Sequence, residues 1–373
     1  MKKLLIASAV SAAFAAPTVA LAQAARAPTL SQVLDASGLN VSGYLDAAYS
    51  YANRNVETGF TNRVFDSQNS SFALHQFGLQ VAKQPTRGFG GVVNITVGSD
   101  AQVIHSFPEA TASTFDLTQA YGQYSTGTLT LMAGKFVTLA GSEVIWSPSN
   151  ANFSRSILFG AIPFTHTGVR AGYALSDIVT FYGGVNNGWD QLTDANKGKT
   201  VELGASIIPI KPLTINVTGY LGKESAVAPG TPGPGAQDTR NLLNVVATYT
   251  INNRMSAGGE ILYVTQDRAA GSAKYNGLAG YFTYNLNREW RVAARAEMFD
   301  DKNNFHFGPN NQPAGTDVKY NEVTATLAYL PNSSVELRGE IRADRADKAV
   351  FINSDGSTAK SMQSLGFQGI YKF

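Results

Sequence analysis

The feature that most constrains the fold of this chain is a strict alternation of apolar and polar residues. In one segment, Val335, Leu337, Gly339, Ile341 and Ala343 alternate with Glu336, Arg338, Glu340, Arg342 and Asp344. In another, Trp290, Val292, Ala294, Ala296 and Met298 alternate with Arg291, Ala293, Arg295, Glu297 and Phe299. Successive side chains of a β-strand point to opposite faces, so a period of two predicts strands with one apolar and one polar face.

Sixteen segments of this kind divide the chain, with a count that holds to within two. They lie near 39–55, 71–83, 90–98, 117–125, 129–135, 165–175, 178–187, 199–209, 213–222, 240–251, 255–267, 273–286, 290–300, 317–330, 334–344 and 360–373. Short connections rich in turn-forming residues alternate with long ones, as in outer-membrane barrels, which have short periplasmic turns and long external loops. An even strand count then leaves both termini in the periplasm.

The N-terminus predicts export. Lys2 and Lys3 precede an apolar stretch that Pro17 interrupts, and Ala20-Leu21-Ala22 has the small-x-small pattern of a cleavage site. We therefore expect a signal peptide at 1–22, a short periplasmic segment at 23–38 and a barrel at 39–373. Removing the peptide lowers the formal charge from +2 to 0. No later apolar run approaches the ~20 residues of a membrane-spanning helix.

Composition supports an all-β transmembrane antiparallel barrel of the outer membrane. Only 15% of residues are charged while 44% are hydrophobic, which fits neither a nucleic-acid-binding protein nor a disordered chain. The alternatives are a secreted β-sandwich or β-helix, but no β-helix repeat is visible. Aromatic residues near apolar strand ends suggest girdles at the lipid–water interfaces: Tyr173, Tyr249, Trp290 and Tyr329.

The C-terminus also points to the outer membrane. Leu365, Phe367, Gly369, Tyr371 and Phe373 alternate up to a terminal aromatic residue. This resembles the assembly signal of outer-membrane barrels, so Tyr371 and Phe373 are expected to be read by the barrel-assembly machinery. Closure also requires the last strand to pair with the first, because an open sheet edge is not tolerated in lipid.

Several motifs together resemble one family. They are Ala133-Gly134-Lys135-Phe136, Ser147-Pro148-Ser149-Asn150, Phe153-Ser154-Arg155-Ser156, the run from Pro163 to Arg170, the run from Gly184 to Asp190, and the run from Arg295 to Asp301. The pattern is similar to the β-barrel porin-2 family, described as OmpL-like, over about 39–373. The resemblance implies an outer-membrane barrel with a pore function and does not supply a solute.

The sequence offers little catalytic or metal chemistry. Its four histidines are scattered and it has no cysteine, so we expect no enzyme activity, no metal site and no cofactor. His166 is interpreted as a solvated rim histidine, with a Ser/His pair as in outer-membrane phospholipases as the alternative. Asp190, Asp300 and Asp301 are interpreted as solvated loop acids rather than Ca²⁺ ligands.

The residues expected to carry function face the lumen. A charged side chain on the lipid face costs about 2–4 kcal/mol for Arg or Lys at the midplane, so the alternation assigns charges to the wet face. The predicted pore-lining set is Arg170, Glu202, Glu260, Arg291, Arg295, Glu297, Glu322, Glu336, Arg338, Glu340, Arg342 and Asp344. The set either creates a transverse field that sorts ions or pairs internally to satisfy the barrel wall. Since both signs are present, no ion preference follows.

Two functions are compatible with such a barrel. The first is a porin for passive diffusion of ions and small hydrophilic solutes, embedded in outer-membrane lipid, with homo-oligomers allowed. The second is a barrel without an open pore that acts as an adhesin or structural interaction protein. Strand number favours the porin, because about eight strands leave an interior filled by side chains whereas sixteen leave an aqueous channel.

The segment 136–164 is the third of the long external connections. Fifteen of its 29 residues are Ala, Val, Leu, Ile, Phe or Trp, and Glu143 and Arg155 are its only charges. A loop standing in water should be more polar. We expect it to pack inside the barrel and narrow the channel with Glu143 and Arg155 near the constriction, as the third external loop does in general porins. Packing over the rim or between protomers is the alternative.

Overall fold

The structure is a computed structural model that describes residues 34, 36–54, 62–108, 113–224, 238–267, 271–308, 312–313 and 315–373. The predicted signal peptide at 1–22 lies outside the described residues, as does most of the segment 23–38. Sixteen strands close into one antiparallel barrel in which each pairs with its neighbours in sequence. The predicted fold class and strand count are confirmed, and strand ends differ from the prediction by at most three residues.

The strands are numbered in chain order. They are β1 (Asn40–Ala52), β2 (Ser71–Lys83), β3 (Arg87–Val97), β4 (Phe115–Thr126), β5 (Leu129–Val137), β6 (Thr165–Ala174), β7 (Val179–Asn186), β8 (Thr200–Ile210), β9 (Leu213–Glu224), β10 (Asp238–Thr250), β11 (Met255–Gln266), β12 (Ala273–Asn285), β13 (Trp290–Asp301), β14 (Val318–Tyr329), β15 (Val335–Ala346), β16 (Phe351–Ile352), β17 (Thr358–Ala359) and β18 (Ser361–Lys372). The short strands β16 and β17 pair with each other in a separate two-stranded sheet.

Between the first and last strands, the described helical structure lies in the long connections, and residues 34, 36 and 37 before β1 are also helical. Two helices span Ala101–Ile104 and Ile157–Gly160, and two 3₁₀ turns span Ser147–Ser149 and Lys302–Asn304. Within the described part of the chain, none of the helices has the length and apolar character needed to cross a membrane.

The two faces of each strand differ in exposure. On β14 and β15, Val323 is 60% exposed and Ile341 is 59% exposed, whereas Glu322 and Arg342 are almost fully buried. The buried side chains point into the lumen and the exposed apolar ones point outward. The outer surface therefore matches a hydrocarbon environment, and the charges avoid it.

The short turns follow one local design. In three of them an Asn side chain accepts backbone N–H groups two and three residues further on. Asn252 accepts from Arg254 and Met255, Asn287 from Glu289 and Trp290, and Asn332 from Ser334 and Val335, all at 2.8–3.0 Å. Such Asx turns satisfy backbone donors that a tight connection leaves unpaired.

Aromatic side chains lie on the outer surface at both ends of the barrel. Tyr173 and Tyr249 are exposed at the short-turn end, where the rings of Trp290 and Tyr329 pack with centroids 4.8 Å apart. Phe72 and Tyr51 are exposed near the long-loop end. The two belts mark the levels at which amphipathic rings favour a membrane interface.

Strand β18 pairs with β1 and so closes the barrel, as expected from the sequence. Gly43 and Phe373 exchange two backbone hydrogen bonds of 2.9 Å, and the Phe373 ring lies over Phe77 with centroids 6.2 Å apart. A Cβ atom on Gly43 would stand 2.6 Å from the Phe373 ring, so only glycine leaves room for it. The terminal residue is therefore part of the closing seam, whatever its role as an assembly signal.

We expect Phe373→Ala to weaken this seam. Losing the ring removes its contact with Phe77, at a cost of about 1–2 kcal/mol. Heat modifiability on gels should show a smaller folded fraction. The folded band should also be lost at a lower temperature. Phe367→Ala, which removes an outward ring from the same strand, is the matched control. Equal folded fractions for the two variants would contradict a specific role for Phe373.

Candidate functional site

The lumen wall carries a ladder of charges on three neighbouring strands, β13, β14 and β15. Arg295 binds Glu322 at 3.1 Å, Arg338 binds Glu336 at 2.7 Å, and Arg342 binds Asp344 at 2.8 Å. Arg291, which is partly exposed near the short-turn end, also pairs with Glu336. Positive and negative side chains alternate, so most charges of the ladder are paired within the wall.

The long connection between β5 and β6, residues 138–164 and here called L3, lies against this ladder inside the barrel. Glu340 accepts the backbone N–H groups of Phe153 and Ser154 at 2.6 and 2.9 Å. Glu297 accepts those of Ile157 and Leu158 at 2.7 and 3.2 Å. Two wall carboxylates thus bind four backbone donors around the start of the short helix in L3.

The arginines of the ladder bind the carbonyl groups of the same loop. Arg342 donates to the carbonyl of Arg155 at 2.6 Å, and Arg295 donates to that of Ser154 at 2.7 Å. Arg338 donates to the carbonyls of Asn150 and Asn152 at 2.7 and 3.0 Å. Hydrogen bonds that involve a charged partner are stronger than neutral ones, so L3 is held by its backbone on this side.

A second set of anchors lies along β9, β10 and β11. The Tyr220 hydroxyl accepts the N–H of Leu139 at 2.9 Å, Asn244 accepts that of Gly141 at 2.9 Å, and Glu260 accepts that of Ser142 at 3.1 Å. L3 also touches β1, where the Trp146 and Tyr44 rings meet at 4.4 Å. The loop is therefore fixed at several points around the lumen.

The two charged residues of L3 take different positions. Glu143 binds Arg295 at 2.7 Å and accepts the N–H of Ser156 at 2.6 Å. Arg155 is fully buried within the loop, where it donates to the carbonyls of Val144, Phe153 and Ile145 at 2.9–3.2 Å. Glu143 joins the loop to the wall, and Arg155 holds the two limbs of the loop together.

The remaining predicted lumenal charges also lie inward. Arg170 on β6 binds Glu202 on β8 at 2.7 Å, and its guanidinium lies 4.1 Å from the centre of the Phe136 ring. Glu260 additionally accepts the amide of Asn244 at 2.8 Å. These pairs lie away from the ladder of β13–β15, so the twelve predicted residues form separate groups and not one cluster.

An aromatic cluster joins L3 to the first long connection. The rings of Phe65, Phe159 and Phe164 have centroids 5.2–6.5 Å apart, and the Arg155 guanidinium lies 5.3 Å from the centre of Phe65. Together with Ile104 and Ile145 they form one apolar group. Such a group resists wetting.

Two cavities lie on either side of this cluster. The outer cavity, of about 280 Å³, is lined by long-loop residues that include Arg63, Trp189 and Phe307. The mid-barrel cavity, of about 440 Å³, lies between L3 and the wall formed by β2–β4 and β7–β9. Phe164 lines both cavities.

Asp190 holds the end of L3 at this point. Its carboxylate accepts the N–H groups of Phe164 and Thr165 at 2.8 and 2.9 Å. Burial raises the pKa of Asp190 to about 7, against the opposing effect of these two hydrogen bonds. The expectation that Asp190 is a solvated loop acid is wrong, because it serves as a backbone acceptor in a buried loop.

Two further expectations from the sequence are wrong for the same reason. Asp301 is fully buried and accepts the backbone N–H groups of Phe305, His306 and Phe307 at 2.9–3.1 Å. His166 is also fully buried, with its ring 4.6 Å from Tyr220 and Nδ1 3.1 Å from the carbonyl oxygen of Gly188. Neither is a solvated rim residue, because the long loops fold inward over both positions.

Sequence reasoning missed the neutral residues of the mid-barrel cavity. They are Gln80, Asn94, Thr118, Gln119, Asn216 and Thr218. Asn and Thr carry no motif when they are scattered over several strands. Their place on the polar face of alternating segments, as in Leu213 to Thr218, was the available signal.

Comparisons with known proteins agree with this architecture. A family model described as "Putative beta-barrel porin-2, OmpL-like" matches residues 38–373. No match was found among curated proteins.

Three solved structures share the fold. An anion-selective porin from Comamonas acidovorans has a TM-score of 0.64 at 10% identity, covering 90% of this chain and 99% of its own. The outer membrane channel DcaP of Acinetobacter baumannii has a TM-score of 0.61 at 13% identity, covering 90% and 97%. OmpT of Vibrio cholerae, folded in vitro and described as a trimer form, has a TM-score of 0.60 at 12% identity, covering 90% and 99%.

The anchoring of L3 leads to a testable prediction for Glu340→Gln. The variant keeps one acceptor oxygen for Phe153 and Ser154 but loses the charge. The hydrogen bonds between residue 340 and the loop backbone should therefore weaken by about 2 kcal/mol. We expect a lower melting temperature and faster cleavage of L3 by added protease. Glu289→Gln, in an exposed short turn, is the matched control. Unchanged protease resistance of the folded Glu340 variant would contradict the role assigned to this carboxylate.

Proposed function

The chain belongs to the β-barrel porin-2, OmpL-like family, and from that premise we propose a route for solutes through it. It is an outer-membrane porin, which allows passive diffusion through a closed barrel of sixteen strands. In the proposed route, a solute enters the outer cavity from the long-loop side, passes Phe164 and crosses the mid-barrel cavity towards the periplasm. The observation that carries the proposal is the position of Phe164, which lines both cavities.

The charged ladder has an indirect role in this proposal. Arg295, Glu297, Arg338, Glu340 and Arg342 bind L3, so they set where the loop stands instead of facing the passing solute. L3 is the constriction loop, with Glu143 at the border of the mid-barrel cavity and Arg155 behind the aromatic cluster. Ion sorting by the full set of twelve charges is not part of the proposal, since most of them already have partners.

We propose that the barrel functions without catalysis, inserted in outer-membrane lipid by the barrel-assembly machinery, and that three copies associate. The trimer is supported by the likeness to OmpT of Vibrio cholerae in its trimer form. The exposed apolar outer surface supports the lipid contact. The 1–22 signal peptide and the 23–38 periplasmic segment belong to the same proposal.

A planar-bilayer recording tests the channel against a closed adhesin or structural barrel. Purified folded protein should give discrete conductance steps, and a salt gradient should give a small reversal potential because the passage carries little net charge. An absence of conductance steps from protein that is folded by heat modifiability would favour the closed barrel.

Phe164→Ala should raise single-channel conductance. Removing the ring widens the point shared by the two cavities and makes it easier to wet, so conductance should rise severalfold. Phe181→Ala removes an outward ring of the neighbouring strand β7 and is the control. If both variants conduct like the native protein, the route does not pass Phe164.

Deleting residues 143–156 should change ion preference as well as conductance. The deletion removes the L3 residues that bind Arg338, Glu340 and Arg342 and exposes these charges to the passage. We expect a higher conductance and a reversal potential that shifts with ionic strength. A folded deletion variant with native conductance and native reversal potential would rule out L3 as the constriction.

A further inference from the structure

The mid-barrel cavity differs chemically from the wall that surrounds L3. Among the described residues that line it, only Glu143 carries a charge, and this carboxylate is already bound by Arg295 at 2.7 Å. The arginines and acids of β13–β15 lie behind the loop and do not line the cavity. A solute in this space therefore meets almost no fixed charge.

One side of the cavity offers neutral hydrogen-bonding groups. These come from four strands and are Gln80, Asn94, Thr118, Gln119, Asn216 and Thr218. The side chains of Gln80 and Asn216 make no hydrogen bond to any other residue in the described part of the chain, and both are partly exposed. An amide supplies two donors and an acceptor oxygen, which match the hydroxyl groups of a neutral solute.

The opposite side of the cavity is mostly apolar and belongs to L3. Val144 is 42% exposed although it lies inside the barrel, and Trp146 adds an aromatic ring. Tyr182 on β7 adds a second ring from the barrel wall. Apolar side chains kept in contact with lumenal water cost free energy unless a solute covers them. The face of an aromatic ring carries negative charge density, which attracts the carbon-bound hydrogens of a saturated ring.

We infer that the mid-barrel cavity is a binding site for uncharged cyclic polyols of about the size of a monosaccharide. This inference rests on the proposed diffusion function and names its substrate class. The hydroxyl edge of the solute meets the amides and hydroxyls of the strands, while its carbon face packs on Trp146 and Val144. A volume of about 440 Å³ lies within the range of small-ligand pockets.

Charge on the solute should act against entry. An ion loses hydration in a narrow space and finds no unpaired opposite charge among the residues that line it. Glucose, glucosamine and gluconate have nearly the same size and number of hydroxyl groups but differ in charge at neutral pH. They therefore separate selection by charge from selection by size.

The first experiment measures swelling rates of liposomes that contain the full-length folded protein, with each of these three solutes. We expect glucose to enter several times faster than glucosamine or gluconate. Equal rates for all three would overturn the inference while leaving the diffusion function intact. Swelling with none of them, combined with no bilayer conductance, would instead refute the proposed function.

The second experiment locates the site by adding glucose to planar-bilayer recordings. Glucose should lower the conductance saturably, and glycerol at the same osmolarity should not. Trp146→Ala should weaken the apparent glucose affinity by about five-fold. Trp290→Ala, which removes a tryptophan from the outer aromatic belt, should leave the affinity unchanged.

Trp146 also packs on Tyr44, so a loss of glucose binding in Trp146→Ala could reflect misfolding. A second variant separates the two causes. Asn216→Leu removes an amide that has no hydrogen bond within the described residues, so it should leave the fold intact and weaken glucose binding. Native affinity in Asn216→Leu and in folded Trp146→Ala would overturn the site. A conducting channel that glucose does not block saturably would do the same.

Discussion

The rest of the structure depends on the mutual satisfaction of buried charges and loop backbone inside the barrel. A wall of ionised side chains is costly if it is removed from water without partners, and a loop placed in the same space has unpaired N–H and C=O groups. Here the wall charges and the loop backbone groups serve as each other's hydrogen-bond partners. Carboxylates of Glu297 and Glu340 take the N–H groups of L3, and guanidinium groups of Arg338 and Arg342 take its carbonyls.

This arrangement makes the lumen asymmetric. Towards the long-loop end, strands β9–β15 enclose a packed apolar cluster that includes Tyr220, Leu262, Tyr275, Phe299 and the loop residue Leu158. Such packing resembles the core of a soluble protein. The mid-barrel cavity lies on the other side, against β2–β4 and β7–β9. Most of the anchors of L3 lie on β9–β15, and the proposed passage runs along the other side of the loop.

The sequence predicts the barrel well because its controlling physics is local. A period of two and alternating connection lengths follow from strand geometry and from the cost of charges in lipid, so the strands were found to within three residues. The apolar composition of 136–164 also indicated a buried loop. The partners of that loop could not be predicted, since Glu340 and Phe153 meet across 187 positions in the chain.

The incorrect expectations share this origin. Asp190, Asp301 and His166 are polar residues in or beside long connections, and local sequence assigns such residues to solvent. Asp190 and His166 are buried against residues 26 and 22 positions away, and Asp301 is covered by the connection that follows it. A local alternation pattern records neither kind of burial. The neutral residues that line the cavity were not predicted, for a different reason. Gln80 and Asn216 carry no charge, and the charged lumenal residues gave a stronger signal in the sequence.

The charges that dominate the lumenal sequence are therefore a poor guide to what passes. A transverse field requires ionised groups that face the solute, but here the paired ladder is covered by L3 and only Glu143 reaches the cavity. At the proposed binding site, selectivity rests on residues with no formal charge, whose hydrogen-bonding groups and ring faces act at short range. Because short-range contacts are screened little by salt, a channel of this kind discriminates by shape and hydrogen bonding more than by the sign of charge. The hydrogen bonds between the L3 backbone and the wall charges thus have two effects. They fix the position of the loop, and they keep these charges from facing the proposed passage.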